Sequence, residues 1–491
     1  MGIWSRITGT LAKPIRAFDA GKSGRRLRGV PTSGQAINAQ IRSYGKTVLA
    51  RSRYLAANNA YAASAKEEFV AALVGCGIKP SSLITDAGLK KTIHETWLDW
   101  TDEADADGLT DFYGLQSIIA AEMFEAGECF VRLRPRRPED GLTVPLQLQV
   151  LPAEMLDISH NDNLAGRNIV MGIEFDGIGR RTAYHFYRNH PEDVQQRGVG
   201  NEKTIVPASE VLHLFRPVRA GQIRGIPHTL SAIVTAAIMD CYDDAELERK
   251  RTAAMFAAFV IRPRLDSDSY PLTNPDGTIA GETPSPSVPT DTIPLEPGAT
   301  IDLELGEDVK FATPADVGGN YEVFQYRNLT RMAAGFGVTY AGMTGDLRET
   351  SYSSDRSGQV RFRRRIEAIQ HGVMIYQFCR PVWQRWFADA VMTGAIKIAP
   401  SLFNAESREF MRVKWMTPHW AWVDPLKDLE AEALAVKEGF KARSDVIEAQ
   451  GFDREEVDER RAADKASDET FGLISGEPPP PEPASLSPAQ E

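Results

Sequence analysis

Several groups of residues in this chain have the types that catalysis or phosphate binding requires, and each fails on spacing. Ala20-Gly21-Lys22-Ser23 ends as a phosphate-binding loop ends, with a lysine and a hydroxyl placed to meet phosphate and magnesium. That loop needs a glycine five residues before Gly21 so that its backbone N–H groups can wrap the phosphates, and position 16 is Arg16. No apolar strand leads into it. His94-Glu95 opens as a zinc-protease helix does, but the second histidine one turn on is missing, since the position holds Leu98. There is no GxSxG elbow to expose a serine nucleophile, and the 8 histidines are scattered singly. Cys76, Cys129, Cys241 and Cys379 form no CxxC pair and lie near no histidine cluster, so the sequence offers no zinc site and predicts four reduced core thiols. The acids from Asp99 to Asp107 are the remaining metal-ligand candidates and define a rival reading, a metal-dependent nuclease. The expectation is a non-enzyme with no catalytic residues, no metal and no cofactor.

Composition narrows the classes further. A length of 491 residues, 42% of them hydrophobic and 9% aromatic, supports about three domains with substantial cores. The longest uninterrupted apolar run, Ala253 to Ile261, is far short of the roughly 20 residues that span a bilayer, and no signal-peptide pattern follows Met1. A soluble, intracellular product with no membrane partner is expected. The net charge of −11 argues against a nucleic-acid coat protein, yet the charge is uneven. Before Tyr54 the bases Lys13, Arg16, Lys22, Arg25, Arg26, Arg28, Arg42, Lys46, Arg51 and Arg53 face one acid, Asp19, whereas the chain after Trp422 is strongly acidic. Two solvated tails explain this, and so does a basic arm that docks on an acidic partner.

The elements that must position these residues follow from periodicity. Helices are predicted over Ala57 to Val74, stopped by Gly75 and Gly77, over Leu89 to Trp100, and from Asp111 to Gly127 with Leu115, Ile118, Ile119, Met123 and Phe124 on one side. Strands are predicted at Cys129 to Leu133, Leu146 to Val150, Ile169 to Phe175, Thr182 to Tyr187 and Val211 to Phe215, making this an α+β region. Pro227 suits a first helical turn, and no glycine or proline recurs until Pro263, which permits one helix of about 45 Å from Pro227 to Phe256. Its apolar stripe is Leu230, Ile233, Val234, Ala237, Ile238 and Cys241. Arg262 to Gly319 is rich in Pro, Gly, Thr, Ser and Asp, with a turn at Asn274-Pro275-Asp276-Gly277 and a short strand near Ile301 to Leu305. A helix from Tyr321 to Gly335 follows, so that helix, β-rich insert, helix describes a protrusion on a two-helix stalk. The chain after Gly335 reads as polar and irregular. From Gln359 a long helix carries Arg361, Arg363, Arg364 and Arg365 outside, has Phe362, Ile366, Ile369, Val373 and Tyr376 inside, and breaks at Pro381. Asp424 to Ala466 reads as charged helices broken at Gly439 and Gly451. From Gly472, with prolines at 478–481, the tail is expected to be disordered.

Local strings then carry a resemblance. Asn58-Asn59-Ala60-Tyr61-Ala62, Val74-Gly75-Cys76-Gly77-Ile78-Lys79-Pro80, Asp111-Phe112-Tyr113-Gly114-Leu115-Gln116, Glu125-Ala126-Gly127-Glu128 and Pro145-Leu146-Gln147-Leu148-Gln149-Val150 come first. Phe215-Arg216-Pro217, Gly221-Gln222-Ile223-Arg224-Gly225-Ile226-Pro227, Asp243-Asp244-Ala245-Glu246-Leu247, Thr344-Gly345-Asp346-Leu347, Ser351-Tyr352-Ser353-Ser354 and Trp420-Ala421-Trp422-Val423-Asp424-Pro425 follow. In this order, over roughly residues 45 to 460, they resemble the lambda-type family of tailed-phage portal proteins.

The resemblance implies a portal fold, α+β, assembled as a dodecameric ring at one capsid vertex through which double-stranded DNA is packaged and ejected. It implies a basic N-terminal arm at 1–54, an α/β wing at 55–226, a first stem helix at 227–262 and a small β-rich clip at 263–319. It further implies a second stem helix at 320–337, a tunnel loop at 338–358, a return to the wing at 359–423, a helical crown at 424–470 and a disordered tail at 471–491. Partners implied are the terminase motor, the major capsid protein and head-completion or adaptor proteins. Arg348, Tyr352 and Arg356 are the candidate DNA-channel residues, and Arg361, Arg363, Arg364 and Arg365 the candidate intersubunit or channel cluster.

Overall fold

A computed structural model describes residues 34–163, 167–193, 202–254, 258–261, 308–311, 320–348, 351–420 and 425–472. The glycine–lysine loop, the bases up to Arg28, most of the clip insert with its turn and its 301–305 strand, and the tail lie outside the described residues. The chain divides into two compact units, one of residues 1–234 and 330–491 and one of residues 235–329.

The first unit opens with α1 (Ile37–Asn58) and α2 (Ala60–Leu73), separated at Asn59, whose side chain accepts from Ala62 N and caps α2. Helix α1 takes up the last third of the segment expected as a basic arm, residues 1–54. Its Ile41, Leu49 and Leu55 are buried, and the Ser52 hydroxyl lies 2.5 Å from Glu125 O and 2.6 Å from Thr229 Oγ1. The bases Arg42, Lys46 and Arg51 stay outside, while Arg53 turns inward to Glu122 at 2.7 Å, Glu125 at 2.8 Å and Glu154 at 3.0 Å. Strand β1 (Lys79–Ser82) leads to α3 (Ala87–Glu103), and Asp111 caps α4 (Phe112–Glu125). On α4 the expected inner residues are buried except Ile118, which is exposed.

Strands β2 (Glu128–Pro135) and β3 (Leu146–Leu151) pair antiparallel. The predicted single strand at 169–175 is two, β4 (Asn168–Val170) and β5 (Ile173–Phe175), because Met171 and Gly172 take positive φ of 51° and 82° and reverse the chain. With β6 (Arg181–Tyr187) and β7 (Lys203–Pro207) they make a four-stranded antiparallel meander, while β8 (Val211–Phe215) pairs with β2 in a three-stranded sheet ordered β3-β2-β8. Phe130, Leu156, Ile173, Tyr184, Phe186, Val206 and Val211 form one apolar cluster drawn from both sheets.

Beside that cluster is a fully buried ionic centre. Arg224 is 0% exposed; its Nε lies 2.8 Å from Glu128 Oε1, and its remaining nitrogens donate to the carbonyls of Ala153, Leu156 and Met171. Glu128 also accepts from Gly225 N at 2.7 Å and meets His213 Nε2 at 3.0 Å. Gly127 and Gly225 are required here: a Cβ on Gly127 would sit 2.0 Å from Ile226 C, and one on Gly225 2.3 Å from Gly127 O.

A turn of 3-10 helix at His228–Ser231 precedes α5 (Ile233–Ala254), so the long helix predicted from Pro227 starts later and its regular part is about 33 Å long. In the second unit, β9 (Ala258–Ile261) and β10 (Asp308–Phe311) pair antiparallel, and α6 (Asn320–Phe336) follows. The expected stripe on α5 is not its buried face. Val234, Ile238 and Cys241 are exposed, and Ala236 and Met239 are buried in their place. Cys76 is exposed as well, in the turn after α2, so two of the four free thiols are core thiols.

The stretch expected to be irregular after Gly335 holds α7 (Tyr340–Thr344) and the first turns of α8 (Tyr352–Ile369), which starts seven residues before Gln359. Nor does the long helix break at Pro381. It passes through a π-helical segment, Gln370–Cys379, into α9 (Arg380–Thr393), with Arg380 N bonded to Ile375 O. Wide π turns just before the proline relieve the clash of its ring with the carbonyl four residues back. They also shift the inner face: Val373 and Phe378 are buried and Tyr376 is 62% exposed. Helix α10 (Pro400–Phe410) leads to β11 (Val413–Met416), which pairs with β1. The charged end folds as α11 (Pro425–Lys437), α12 (Arg443–Ala449) and α13 (Arg454–Phe471), with Gly439 and Gly451 at positive φ in the breaks, as predicted.

The buried ionic centre generates a prediction. Burial disfavours the Glu128 charge, but Arg224 and His213 outweigh it and hold the carboxyl down at about 2. Burial also pushes His213 and His228 from 6.5 to about 4. A histidine depressed on folding binds protons more readily when unfolded, so its stabilising contribution is complete above pH 6.5 and is lost as pH falls towards 4. Glu128 adds a second loss between 4.5 and about 2. Denaturant titrations should therefore show stability falling in those two windows. Arg224→Leu, which strands the Glu128 charge, should cost about 3–5 kcal/mol near neutral pH; an unchanged midpoint would contradict the account.

Candidate channel and ring-contact residues

The candidate residues lie between the end of α6 and the middle of α8. Helix α6 stops because Gly337 takes φ +83°, and the N–H groups of Gly337 and Val338 both turn back to Ala333 O, at 2.9 and 3.1 Å. Thr339 caps α7 by accepting from Gly342 N at 3.0 Å, and Gly345 ends it at φ +68°. Met343 is buried and holds this short helix down. Gly342 packs against α2, where a Cβ would lie 2.8 Å from Glu68 Oε1; burial raises the pKa of that carboxyl. Asp346 accepts from the backbone N of Arg348 at 3.1 Å and from its guanidinium at 3.0 and 2.9 Å, which hold the Asp346 carboxyl at about 2. Arg348 itself is exposed, hooked to its own loop.

Ser351 caps α8 by accepting from Ser354 N. Tyr352 is the first residue of α8, and its side chain lies outside the described residues. Arg356 reaches Asp428 on α11 at 3.2 Å, and seven residues on, Arg363 lies over the Trp420 ring at 5.3 Å. These two cations, one helical face, line a pocket with His419, Trp420 and Asp428. Arg361 and Arg364 are exposed on other sides of α8. Arg365 points elsewhere, into a pocket with Arg216 and His228. The tight run of arginines is thus three separate environments, because successive residues of a helix are turned by about 100°.

Sequence reading did not anticipate Arg216, His228 or the buried trio Glu128, Arg224 and His213 as functional or organising groups. The only signal for Arg216, Glu128 and Arg224 was membership in the strings Phe215-Arg216-Pro217, Glu125-Ala126-Gly127-Glu128 and Gly221 to Pro227, and His213 and His228 lay in none of them. The nuclease reading finds its central acid occupied: Asp105 is buried and accepts from the backbone N–H groups of Asp107, Leu109 and Thr110 at 3.0, 2.8 and 3.2 Å. Among the described residues no cluster of His, Cys, Asp and Glu could hold a metal, and no helix is long and apolar enough to cross a membrane.

In the second unit, Asp243 on α5 accepts from Tyr321 Oη at 3.0 Å and Gln325 Nε2 at 2.7 Å on α6, and Tyr242 packs on Phe324 with ring centroids 5.1 Å apart. This pairing uses one side of α5. Ile238, 63% exposed, takes no part in it, and Leu247 and Val323 are exposed at other positions.

A family model described as "Phage portal protein, lambda family" matches residues 23–370. The "Probable portal protein" of Halomonas phage phiHAP-1 is 26% identical over 381 residues, 76% of this chain and 69% of that protein. "Portal protein" of Escherichia phage N15 is 21% identical, with 64% of this chain and 62% of that protein aligned. For "Portal protein B" of Escherichia phage lambda the identity is 23%, with 60% and 58% aligned, so this chain spans about three fifths of the length of these two relatives. Among solved structures, "Neck of empty GTA particle computed with C6 symmetry" aligns with TM-score 0.46 and 14% identity over 83% of this chain and 93% of that one. "Neck of native GTA particle computed with C12 symmetry" aligns with TM-score 0.44 and 14% identity over 88% and 97%.

Charge reversal separates the two candidate channel arginines. Arg348→Glu alters an exposed loop and should leave stability within about 0.5 kcal/mol of the parent. Arg356→Glu sets a carboxylate against Asp428 and should loosen α11, measured as faster limited proteolysis between α8 and α11. Equal proteolysis of the two variants would mean that the Arg356–Asp428 pair contributes nothing to that docking.

Proposed function

Because this chain belongs to the lambda family of phage portal proteins, we propose that identical copies of it close into a ring at one capsid vertex and form the conduit for double-stranded DNA. It is a structural component of the phage virion, not an enzyme. The further reading is that α5 and α6 are the stem, the insert between them the clip that meets the terminase and later the head-completion proteins, residues 338–358 the tunnel segment, and α11 to α13 the crown. Twelve copies, by resemblance, complete the ring.

The observation that carries this reading is the uncovered apolar side of α5. Val234 and Ile238, four residues apart and so on one face, expose aliphatic surface on a helix already paired with α6 through Tyr242 and Asp243, in a chain of net charge −11. A second copy is the partner that a ring supplies, through a heterologous contact whose rotation closes. The charge balance suits a conduit. Duplex DNA carries one phosphate per roughly 1.7 Å of axis, and each phosphate neutralised adds salt-dependent affinity, so a wall dense in cations would hold its cargo. An acidic chain presenting few cations lets the duplex slide, and Arg348 with its Asp346 partner is such a muted contact.

Ile238→Asp places a charge in the proposed copy-to-copy contact without touching a buried residue. The parent chain should form rings with a central hole in negative-stain images, and the variant should sediment as a folded monomer with unchanged circular dichroism. Rings formed by Ile238→Asp as readily as by the parent would remove this face from the interface.

A further inference from the structure

The pocket at the end of α6 is walled by three basic side chains from three elements: Arg216 just after β8, His228 in the 3-10 turn, and Arg365 on α8. The His228 ring is enclosed by Phe69, 4.9 Å away, and Phe124, stacked at 6.2 Å. Gly337 lines the pocket, and a Cβ there would lie 3.2 Å from Arg365 Nη1. Among the described residues no carboxylate pairs with Arg216 or Arg365, and none of the three side chains has a hydrogen-bond partner. Burial pushes His228 down to about 4, and the positive charges of Arg216 and Arg365 add to the effect. The carbonyl end of α6 attracts cations only weakly and accepts a hydrogen bond from neither guanidinium, so it does not explain the convergence.

We infer that this pocket binds a phosphate group, held by the guanidinium forks of Arg216 and Arg365 with His228 as a third donor from the pocket wall. A carboxylate has two oxygens in one plane and is satisfied by one guanidinium; donors converging from three elements match the tetrahedral oxygens of phosphate. The phosphate is supplied either free or by a nucleic-acid backbone. The pocket lies within one chain, so the inference does not depend on ring assembly.

The test uses the full chain. Inorganic phosphate should raise its melting temperature above that in chloride at matched ionic strength, and should move the titration of the His228 ring, followed by its Cε1–H resonance, to higher pH. Arg216→Gln and Arg365→Gln, both at exposed positions, should fold normally and each weaken phosphate binding roughly ten-fold or more, as loss of a charge-assisted hydrogen bond requires. Competition by a short duplex would identify the source as backbone phosphate; phosphate binding untouched by duplex would identify it as free phosphate. Phosphate acting no differently from chloride, or variants that bind it as tightly as the parent, would overturn the inference. So would variants that bind no less phosphate but fail to associate with other copies, which would make the natural occupant a neighbour's carboxylate.

Discussion

The first unit is organised around one buried charge pair, Glu128 with Arg224. Taking two ions out of water costs several kcal/mol each unless every remaining donor and lone pair is satisfied, and here they are. Arg224 donates to Glu128 and to the carbonyls of Ala153, Leu156 and Met171, so a single side chain fixes β2, the turn after β3 and the β4–β5 reversal. Met171, a non-glycine residue at φ 51°, is held in that conformation at both backbone atoms: its N–H by Asn161 and its carbonyl by Arg224. The pair can form only because Gly127 and Gly225 let two backbones touch, and a methyl group at either would force them apart.

A second constraint is aromatic. Trp97 lies within 5.1 Å of the rings of Phe112, Trp383 and Trp386, and Phe112 stacks on Phe378 at 5.5 Å, binding α3 and α4 to the helix that runs through Gln370–Cys379 into α9. The indole N–H groups of Trp383 and Trp386 are buried without an acceptor. Leaving a donor unsatisfied costs about 1–3 kcal/mol, whereas burying an indole of about 200 Å² returns about 5 kcal/mol, so ring packing outweighs the loss. The π turns serve the same helix: Gln377 clamps Phe215 by donating to its carbonyl and accepting from its N–H, and Gln370 donates to Leu73 O, tying β8 and the end of α2 to one side of the helix.

On this frame the surface charges acquire distinct duties. Arg53 is spent inside among Glu122, Glu125 and Glu154, Arg356 on Asp428, Arg348 on Asp346, and Arg363 over Trp420. Arg216 and Arg365 are left facing an open pocket, and α5 is left with an aliphatic side that its own unit does not cover. The two surfaces differ in kind: one offers charge and direction, the other apolar area.

The sequence by itself determined the elements, since a period near 3.6 or 2 is written in neighbouring residues. Helices α2 to α4, the strands β2, β3, β6 and β8, and the breaks at Gly439 and Gly451 were all legible in this way. It determined the family too, because the ordered strings need no knowledge of contacts. It misplaced what depends on contacts. The stripe from Leu230 to Cys241 has helical spacing but is not the buried side of α5, because periodicity reports that a face is apolar and not what covers it. Val373 and Phe378, not Tyr376, face inward because π turns change the period inside one helix, a change with no local marker beyond Pro381. The four consecutive-looking arginines of α8 divide among separate neighbours for the reason that a helix turns. Glu128 and Arg224 lie 96 residues apart, each unremarkable in its own string. Only the fold, by bringing Gly127 against Ile226, decided that these two charges meet away from water, where the cost of solitude makes each one necessary to the other.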